Sequence, residues 1–212
     1  MKNEQTNQNP WIEIPLEDYE NHMSHSSVGQ LQVLNSLTQK YLNIIQPKTC
    51  VFLGIAGGNG LEYIDNKVTK KVIGIDINQD YLNTTSERYS DKIDVLDLIN
   101  LDIIENTEAI CEADFIWAAL VLEYTGVEKA LEFVKNNLQI GGHLIVSIQS
   151  NNGVQYVSQT AIESVKKVGN IFQLIDSEIL LTKAEEMGLK LIDNEDFVFP
   201  NGKSLKTFHF VM

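Results

Sequence analysis

The chain is short of positive charge, cysteine, proline and long apolar runs. Its 212 residues carry 16 Lys plus Arg against 29 Asp plus Glu, a formal charge of −13. A field of that sign repels phosphate backbones and anionic lipid surfaces, so neither nucleic acid nor membrane is an expected partner. No apolar run reaches the roughly 18 residues a membrane-spanning helix needs. Met1 to Pro10 is polar, expected to be disordered up to residue 9, and lacks the apolar centre of a secretory leader. The two cysteines, Cys50 and Cys111, stand far apart inside apolar segments. They make neither a CxxC pair nor a disulfide framework, and read as reduced thiols of a cytoplasmic protein. The four prolines are isolated. What remains is an ordinary globular composition, 43% hydrophobic and 21% charged, enough for one sizeable core. No repeat and no legible interface is present, so oligomeric state stays unknown from sequence.

Along the chain the texture changes twice. Pro10 and Pro15 make Trp11 to Leu16 an expected extended arm. From Glu17 to Gln46 apolar residues recur at helical spacing, among them Val28, Leu31, Leu34, Leu37, Tyr41 and Ile45. His22 to Ser27 reads as a loop, with Ser26 or Ser27 as N-cap of the helix that Pro47 stops. After Pro47, short apolar runs alternate with amphipathic stretches. The runs are Cys50 to Ala56, Lys71 to Ile77, Leu96 to Leu101, Asp114 to Leu122 and His143 to Ile148. The helical candidates are Leu61 to Val68, Gln79 to Tyr89 and Val127 to Asn137. Such alternation predicts a mostly parallel sheet buried between helices. The end differs. A helix over Ser177 to Met187, N-capped by Ser177 and closed by Gly188, precedes strands at Leu189 to Val198 and Leu205 to Val211, joined by a turn at Pro200-Asn201-Gly202.

The sharpest signal is Val51-Phe52-Leu53-Gly54-Ile55-Ala56-Gly57-Gly58-Asn59-Gly60, an apolar run leading into glycines. Glycines there let a ligand approach the backbone and its N–H groups. Asp76 follows in Gly74-Ile75-Asp76-Ile77-Asn78, just past the next run, where a carboxylate can accept both hydroxyls of a ribose. A dinucleotide site would want a third glycine, but Leu61, Glu62 and Tyr63 follow Gly60. A phosphate-binding P-loop would want lysine after the glycines, and none is there. Gly202-Lys203-Ser204 imitates the tail of that motif, but Phe197 stands where its first glycine belongs. A nucleoside without phosphates is the remaining reading.

These residues resemble the class I S-adenosylmethionine-dependent methyltransferase family. The glycine cluster with Asp76 resembles its first two motifs, and Asn100-Leu101-Asp102-Ile103 its third. Asp114 to Tyr124, with Ala118-Ala119-Leu120, resembles its fourth strand and the loop beside the reaction centre. Leu138-Gln139-Ile140-Gly141-Gly142-His143-Leu144 resembles the turn before its fifth strand. The resemblance covers residues 48 to 212. It implies a Rossmann-like, doubly wound, seven-stranded and mostly parallel α/β sheet with a C-terminal antiparallel hairpin strand. Residues 1–46 would form an N-terminal arm and helical lid, and 47–212 the methyltransferase core of one folded unit. Two departures stand out. Gly54 occupies the place of the family's acidic residue at the end of strand one, and Ala56 that of the first loop glycine.

The resemblance implies S-adenosyl-L-methionine as cofactor and an in-line methyl transfer to a small-molecule acceptor. The cofactor-binding residues it points to are Gly54, Ala56, Gly57, Gly58, Asn59, Gly60, Asp76, Ile77, Asp102, Ile103, Ala119 and Leu120. Asp102, which ends its apolar run, is preferred for adenine over its rival Asp97, which interrupts one. Tyr19 and His22 are expected at the methionyl end, partly replacing the acid missing at Gly54. His22, Glu123 and Tyr124 are the catalytic candidates, with His25 a further possible base. No metal is expected, although His22 and His25 have pair spacing; His143 and His209 read as structural. Ser150 to Ile175 is expected to wall the acceptor pocket, with Gln149, Asn151, Asn152 and Tyr156 reading the substrate. The signature of DNA-amine methyltransferases, Asn or Asp before Pro-Pro and an aromatic, is absent. Alternatives are a non-catalytic module binding S-adenosylmethionine or S-adenosylhomocysteine, an RNA or protein methyltransferase, and a nicotinamide-dependent oxidoreductase.

Overall fold

A computed structural model describes residues 9–151, 158 and 160–212. In chain order the elements are α1 (Leu16–Ser24), α2 (Gln30–Ile45), β1 (Thr49–Leu53), β2 (Lys71–Asp76), α3 (Gln79–Tyr89), β3 (Leu96–Asn100), β4 (Ala113–Ala119), α4 (Leu122–Thr125), α5 (Val127–Asn137), β5 (Leu138–Asn151), α6 (Ser177–Glu186), β6 (Lys190–Val198) and β7 (Lys203–Val211). The strands form one seven-stranded sheet in the order β3-β2-β1-β4-β5-β7-β6. The first five are parallel, and β7 runs antiparallel to both β5 and β6. The chain order reverses between β1 and β4, so the C-terminal ends of β1, β2 and β4 splay around a crevice. That is where an open α/β sheet binds ligands.

Each face of the sheet is apolar, which is why β1, β2 and β4 read as continuous apolar runs rather than alternating ones. One face packs Val51, Ile73, Ile116, Leu144 and Val146 against Leu131 and Val134 of α5 and Leu180 of α6. The other packs Phe52, Phe115, Trp117 and Ile145 against Leu34, Leu37 and Tyr41 of α2. At α3, Asn78 caps the helix by accepting from Asp80 N and Tyr81 N. No helix of the described residues is long and apolar enough to cross a membrane.

Several sequence expectations need correction. The arm at Trp11 to Leu16 is not extended. Asn9 accepts from Trp11 N and caps a single 3-10 turn, Pro10–Ile12, and α1 begins at Leu16. His22 and Met23 are helical and buried, because Tyr19 and Met23 fall on one face of α1 and pack on the core. The α2 N-cap is neither serine but left-handed Gly29. Leu61 to Val68 makes only the 3-10 turn Leu61–Tyr63. There Asp65 Oδ1 accepts from Lys67 N, a local turn that competes with a helix. Asp176, not Ser177, caps α6 through Glu178 N. β5 extends well beyond His143 to Ile148, because its ladder with β7 runs out to Asn151 opposite Lys203. The expectation of disorder for residues 1–8 lies outside the described residues.

Candidate active site

Three adjoining cavities open above the crevice. The largest, about 730 Å³, is lined by Gly54 and Ala56 after β1, Asp76 and Ile77 after β2, Asp102 and Ile103 after β3, and Ala119 to Val121 after β4. A second, about 510 Å³, lies over the glycine loop between Gly54, Ala56, Gly57 and Asn59 and the side chains of Tyr19, Glu20 and Thr38. The third, about 480 Å³, lies toward β5 and β7, among Trp11, Tyr19, His22, Tyr124, Gln149, Phe172 and Lys203. Tyr19 borders all three. Trp11, Leu120 and Tyr124 border both the first and the third.

Asp76 is positioned by its own strand end. Oδ2 accepts from Ala56 N at 3.0 Å and Oδ1 from Asn78 N at 2.9 Å. Burial pushes this carboxyl's pKa up, and the N–H groups of Asn78, Ala56 and Ile77 pull it back. Each oxygen keeps a lone pair for a hydroxyl in the cleft. Asp102 lines the same cleft, with Oδ1 accepting from Ile104 N at 2.9 Å. Its rival Asp97 instead pairs with Lys71 at 2.7 Å on the exposed side of β3. The apolar walls Leu53, Ile75, Ile77, Leu101, Ile103 and Val121 suit a flat base.

The glycine loop is held from outside. A Cβ on Gly58 would lie 2.7 Å from Tyr89 Cε2, and one on Gly60, at φ +93°, 2.6 Å from Thr38 Cβ. Neither glycine borders the cavities, so both shape the loop rather than line it. Gly54 has φ +63°, and a side chain there would meet Val121 Cγ2 at 2.8 Å. An acid at position 54 would therefore need both a different backbone and a smaller neighbour. Leu120 also adopts a left-handed φ of 56°, unusual for a branched side chain, with its N–H donating to Ser147 O. That strained residue stands in the wall shared by the first and third cavities.

A residue the sequence reading missed lies opposite Gly54. Glu20 of α1 borders the glycine-loop cavity, and its two oxygens take a bidentate fork from Arg88 of α3, the chain's single arginine. Arg88 also donates to Gly57 O at 3.0 Å. The only sequence hint was Glu20 within the polar stretch from Asp18 to His25; its pairing with Arg88 spans 68 positions and is invisible to spacing. Tyr19 does reach this cavity, whereas His22 does not. His22 is buried, lines the third cavity and shares a 2.8 Å hydrogen bond between Nδ1 and Thr160 Oγ1. Burial, with Lys203 adding to it, lowers its pKa to about 4, so the imidazole is neutral at physiological pH.

His25 instead pairs with Ser27 Oγ at 2.8 Å, away from His22. Among the described residues no group of three metal-ligating side chains occurs. Tyr124 lines the first and third cavities, and burial with the nearby Glu123 carboxyl keeps its phenol protonated. Glu123 borders none of the three cavities. It is wholly buried, Oε1 accepts from Gln149 N at 2.6 Å, and Oε2 has no hydrogen-bond partner among the described residues. Burial raises its pKa to about 7. Its geometry is that of a strut between α4 and β5. His143 and His209 join by a 2.8 Å hydrogen bond on the sheet, away from the cavities. Gln149 lines the third cavity, and Asn151 accepts from its side chain. Val165, Val168 and Phe172 supply part of the expected pocket wall, while Asn152 and Tyr156 lie outside the described residues.

Residues 51–146, which run from within β1 to within β5, match the family model of a methyltransferase domain. That match covers less than half of the chain, and the sheet order is that of the class I methyltransferase fold. No curated protein matches it by sequence. Many solved structures share the fold. The N-methyltransferase NodS from Bradyrhizobium japonicum, in complex with S-adenosyl-L-homocysteine, superposes with a TM-score of 0.66 at 15% identity, over 92% of this chain and 97% of that one. Magnesium protoporphyrin IX methyltransferase from Synechocystis, with bound S-adenosylhomocysteine, gives 0.66 at 12% identity, over 92% and 93%. The [4+2]-cyclase SpnF gives 0.67 at 14% identity, over 91% and 85%. A cyclase among these neighbours shows that the methyltransferase fold alone does not define the reaction. The residues around the three cavities must do that.

Proposed function

We propose that the protein transfers a methyl group from S-adenosylmethionine to a small-molecule acceptor. The observation that carries this reading is the adjacency of the three cavities, which meet at Tyr19. The adenosine lies in the first, with Asp76 accepting from the ribose hydroxyls and Asp102 facing the adenine. The amino-acid end lies over the glycine loop, where Glu20 supplies the carboxylate that strand one lacks and Arg88 holds it in place. The acceptor enters the third. When bound, the cofactor supplies a methyl on a cationic sulfur, which leaves with the C–S electron pair as the acceptor's lone pair forms the new bond. Trp11, Tyr19 and Tyr124 form an edge-to-face cluster, with ring centres 5.4 and 5.0 Å from Trp11. Such a cluster favours a cation and excludes water from the transfer. Alignment of this kind is worth roughly 7–11 kcal/mol of barrier. Neutral His22 is the group positioned to take a proton from the acceptor. Glu123 acts through the backbone of Gln149 as a positioning residue. The free, unpaired thiols fit a cytoplasmic setting.

The reading is tested by calorimetric titration with S-adenosylmethionine, S-adenosylhomocysteine and NAD, on the wild type and on Asp76→Ala. Micromolar binding of the first two, lost in the variant, supports it. No binding of either to folded protein overturns it. One observation favours a second reading, a module that holds the cofactor without catalysis: Gly54, with its side-chain space filled by Val121, departs from the family's acid. That reading predicts tight binding with no methyl transferred to any acceptor.

A further inference from the structure

The chain's single arginine closes one side of the glycine-loop cavity. Arg88 lies in the last turn of α3, and it bridges Glu20 and Gly57, both of which line that cavity. The guanidinium meets Glu20 end-on. Nη2 donates to Oε2 at 3.0 Å, while Nη1 donates both to Oε1 and, at 3.0 Å, to Gly57 O. Nη1 is thus a cationic nitrogen held by two oxygens, one on a carboxylate and one on a loop carbonyl. An α-ammonium laid over the glycine loop needs acceptors of the same kind. A Cβ on Gly57 would collide with Glu20 Oε1 and Arg88 Nη1, so the pair rests directly on the loop.

The guanidinium can move without stranding a buried charge. Its side chain is 40% exposed and that of Glu20 29%. An ion pair this open contributes little to stability, so breaking one of its bonds costs little. Charge balance then decides which ligands fit. Glu20 and Arg88 sum to zero, and so do the ammonium and carboxylate of an amino-acid end. Brought together, the four charges alternate, and each has an opposite neighbour. A ligand that carries the ammonium alone leaves a surplus positive charge beside Arg88. One that carries the carboxylate alone leaves a surplus negative charge beside Glu20. Either surplus is unfavourable in a partly desolvated cleft.

We propose that Arg88 is an internal placeholder that makes the cofactor site selective for a zwitterion. In the ligand-free protein its Nη1 occupies Glu20 Oε1 and Gly57 O. On binding, it yields both oxygens to the α-ammonium and takes the α-carboxylate on the guanidinium edge this frees. Nη2 keeps its bond to Glu20. This rests on the methyltransferase reading and adds to it the residue that selects the ligand's amino-acid end.

The test titrates the full chain with four ligands by calorimetry. They are S-adenosylhomocysteine, its decarboxylated analogue, its deaminated analogue and 5′-methylthioadenosine. Wild type should bind S-adenosylhomocysteine about tenfold tighter than either singly charged analogue. In Arg88→Met the two amine-bearing ligands should move in opposite directions. S-adenosylhomocysteine should weaken about fivefold or more, having lost the partner of its carboxylate. The decarboxylated analogue should tighten, because no guanidinium competes for Glu20 and Gly57 O. Binding of 5′-methylthioadenosine should stay within about twofold, since it touches neither residue. A role confined to orienting Glu20 predicts instead that both amine-bearing ligands weaken by the same factor, and that result would overturn the proposal. So would a variant that leaves both unchanged, or a wild type that binds the decarboxylated analogue as tightly as S-adenosylhomocysteine. Failure of S-adenosylhomocysteine and 5′-methylthioadenosine alike to bind folded wild type would sink the underlying reading. The wild-type ligand order decides the matter even if Arg88→Met does not fold.

Discussion

Glu123 offers the sharpest physical test, because its carboxyl is wholly buried and one oxygen has no partner among the described residues. Burial raises its pKa from 4.5 to about 7, while the N–H of Gln149 pulls in the other direction. In the unfolded chain the group ionises normally. The folded state therefore holds a proton that the unfolded state loses between those two values. The contribution to stability is full below pH 4.5 and falls as pH rises through 7. Linkage makes the loss about 3 kcal/mol at pH 8 and about 1 kcal/mol at pH 5. Glu123→Gln removes the titration and keeps an oxygen for Gln149 N. Its fixed cost, a buried amide without a full set of partners, is the same at both pH values. The stability of the variant relative to wild type should thus rise by about 2.5 kcal/mol between pH 5 and pH 8. For a chain of this size that is a relative shift of roughly 5–10 °C in Tm. Urea unfolding at the two pH values reads it directly, and titration of other groups, His22 among them, cancels in the difference. A variant-minus-wild-type difference that is flat across this range would show that Glu123 is ionised in the fold, and would refute the burial argument.

Other outcomes follow from the same geometry. Glu20→Gln should weaken S-adenosylmethionine about tenfold, as expected for losing one charge-assisted hydrogen bond. It should leave 5′-methylthioadenosine, which lacks the amino-acid end, unchanged; calorimetry with both ligands separates the two. Asp102→Ala should weaken adenosine-containing ligands, while Asp97→Ala should not, since Asp97 only pairs with Lys71 on the surface. The Asp97 change should alter stability by no more than about 1 kcal/mol in urea. Gly60→Ala should cost about 2 kcal/mol or more in urea unfolding, because its φ is +93° and a Cβ would press on Thr38 at 2.6 Å.

Much of the sheet is legible from local pattern. The apolar runs at Cys50, Lys71 and Asp114 announce strands covered on both faces, and Gln79–Tyr89 and Val127–Asn137 announce helices at their observed limits. The Pro200-Asn201-Gly202 turn announces the antiparallel return. Local pattern misled where a short-range competitor decided the outcome. Asp65 folds back on Lys67 and leaves one turn where a helix was expected. Gly29, not a serine, starts α2, because the chain there must turn left-handed to leave α1.

The sequence by itself determined the sheet, the glycine loop and the two strand-end carboxylates Asp76 and Asp102. Each is encoded within a few neighbouring residues by apolar period and backbone permissiveness. Tertiary structure alone decided which side chains border which cavity. It brings Glu20 to Arg88 across 68 positions, places Gln30 on Gln149 across 119, and sets Lys203 beside both through the β5–β7 ladder. It also withdraws Glu123 from the cavities and turns His22 toward Thr160 rather than the glycine loop. The reason is physical. A strand or a helix is specified by local periodicity, but the burial and partners of a charged group depend on which distant segments pack over it.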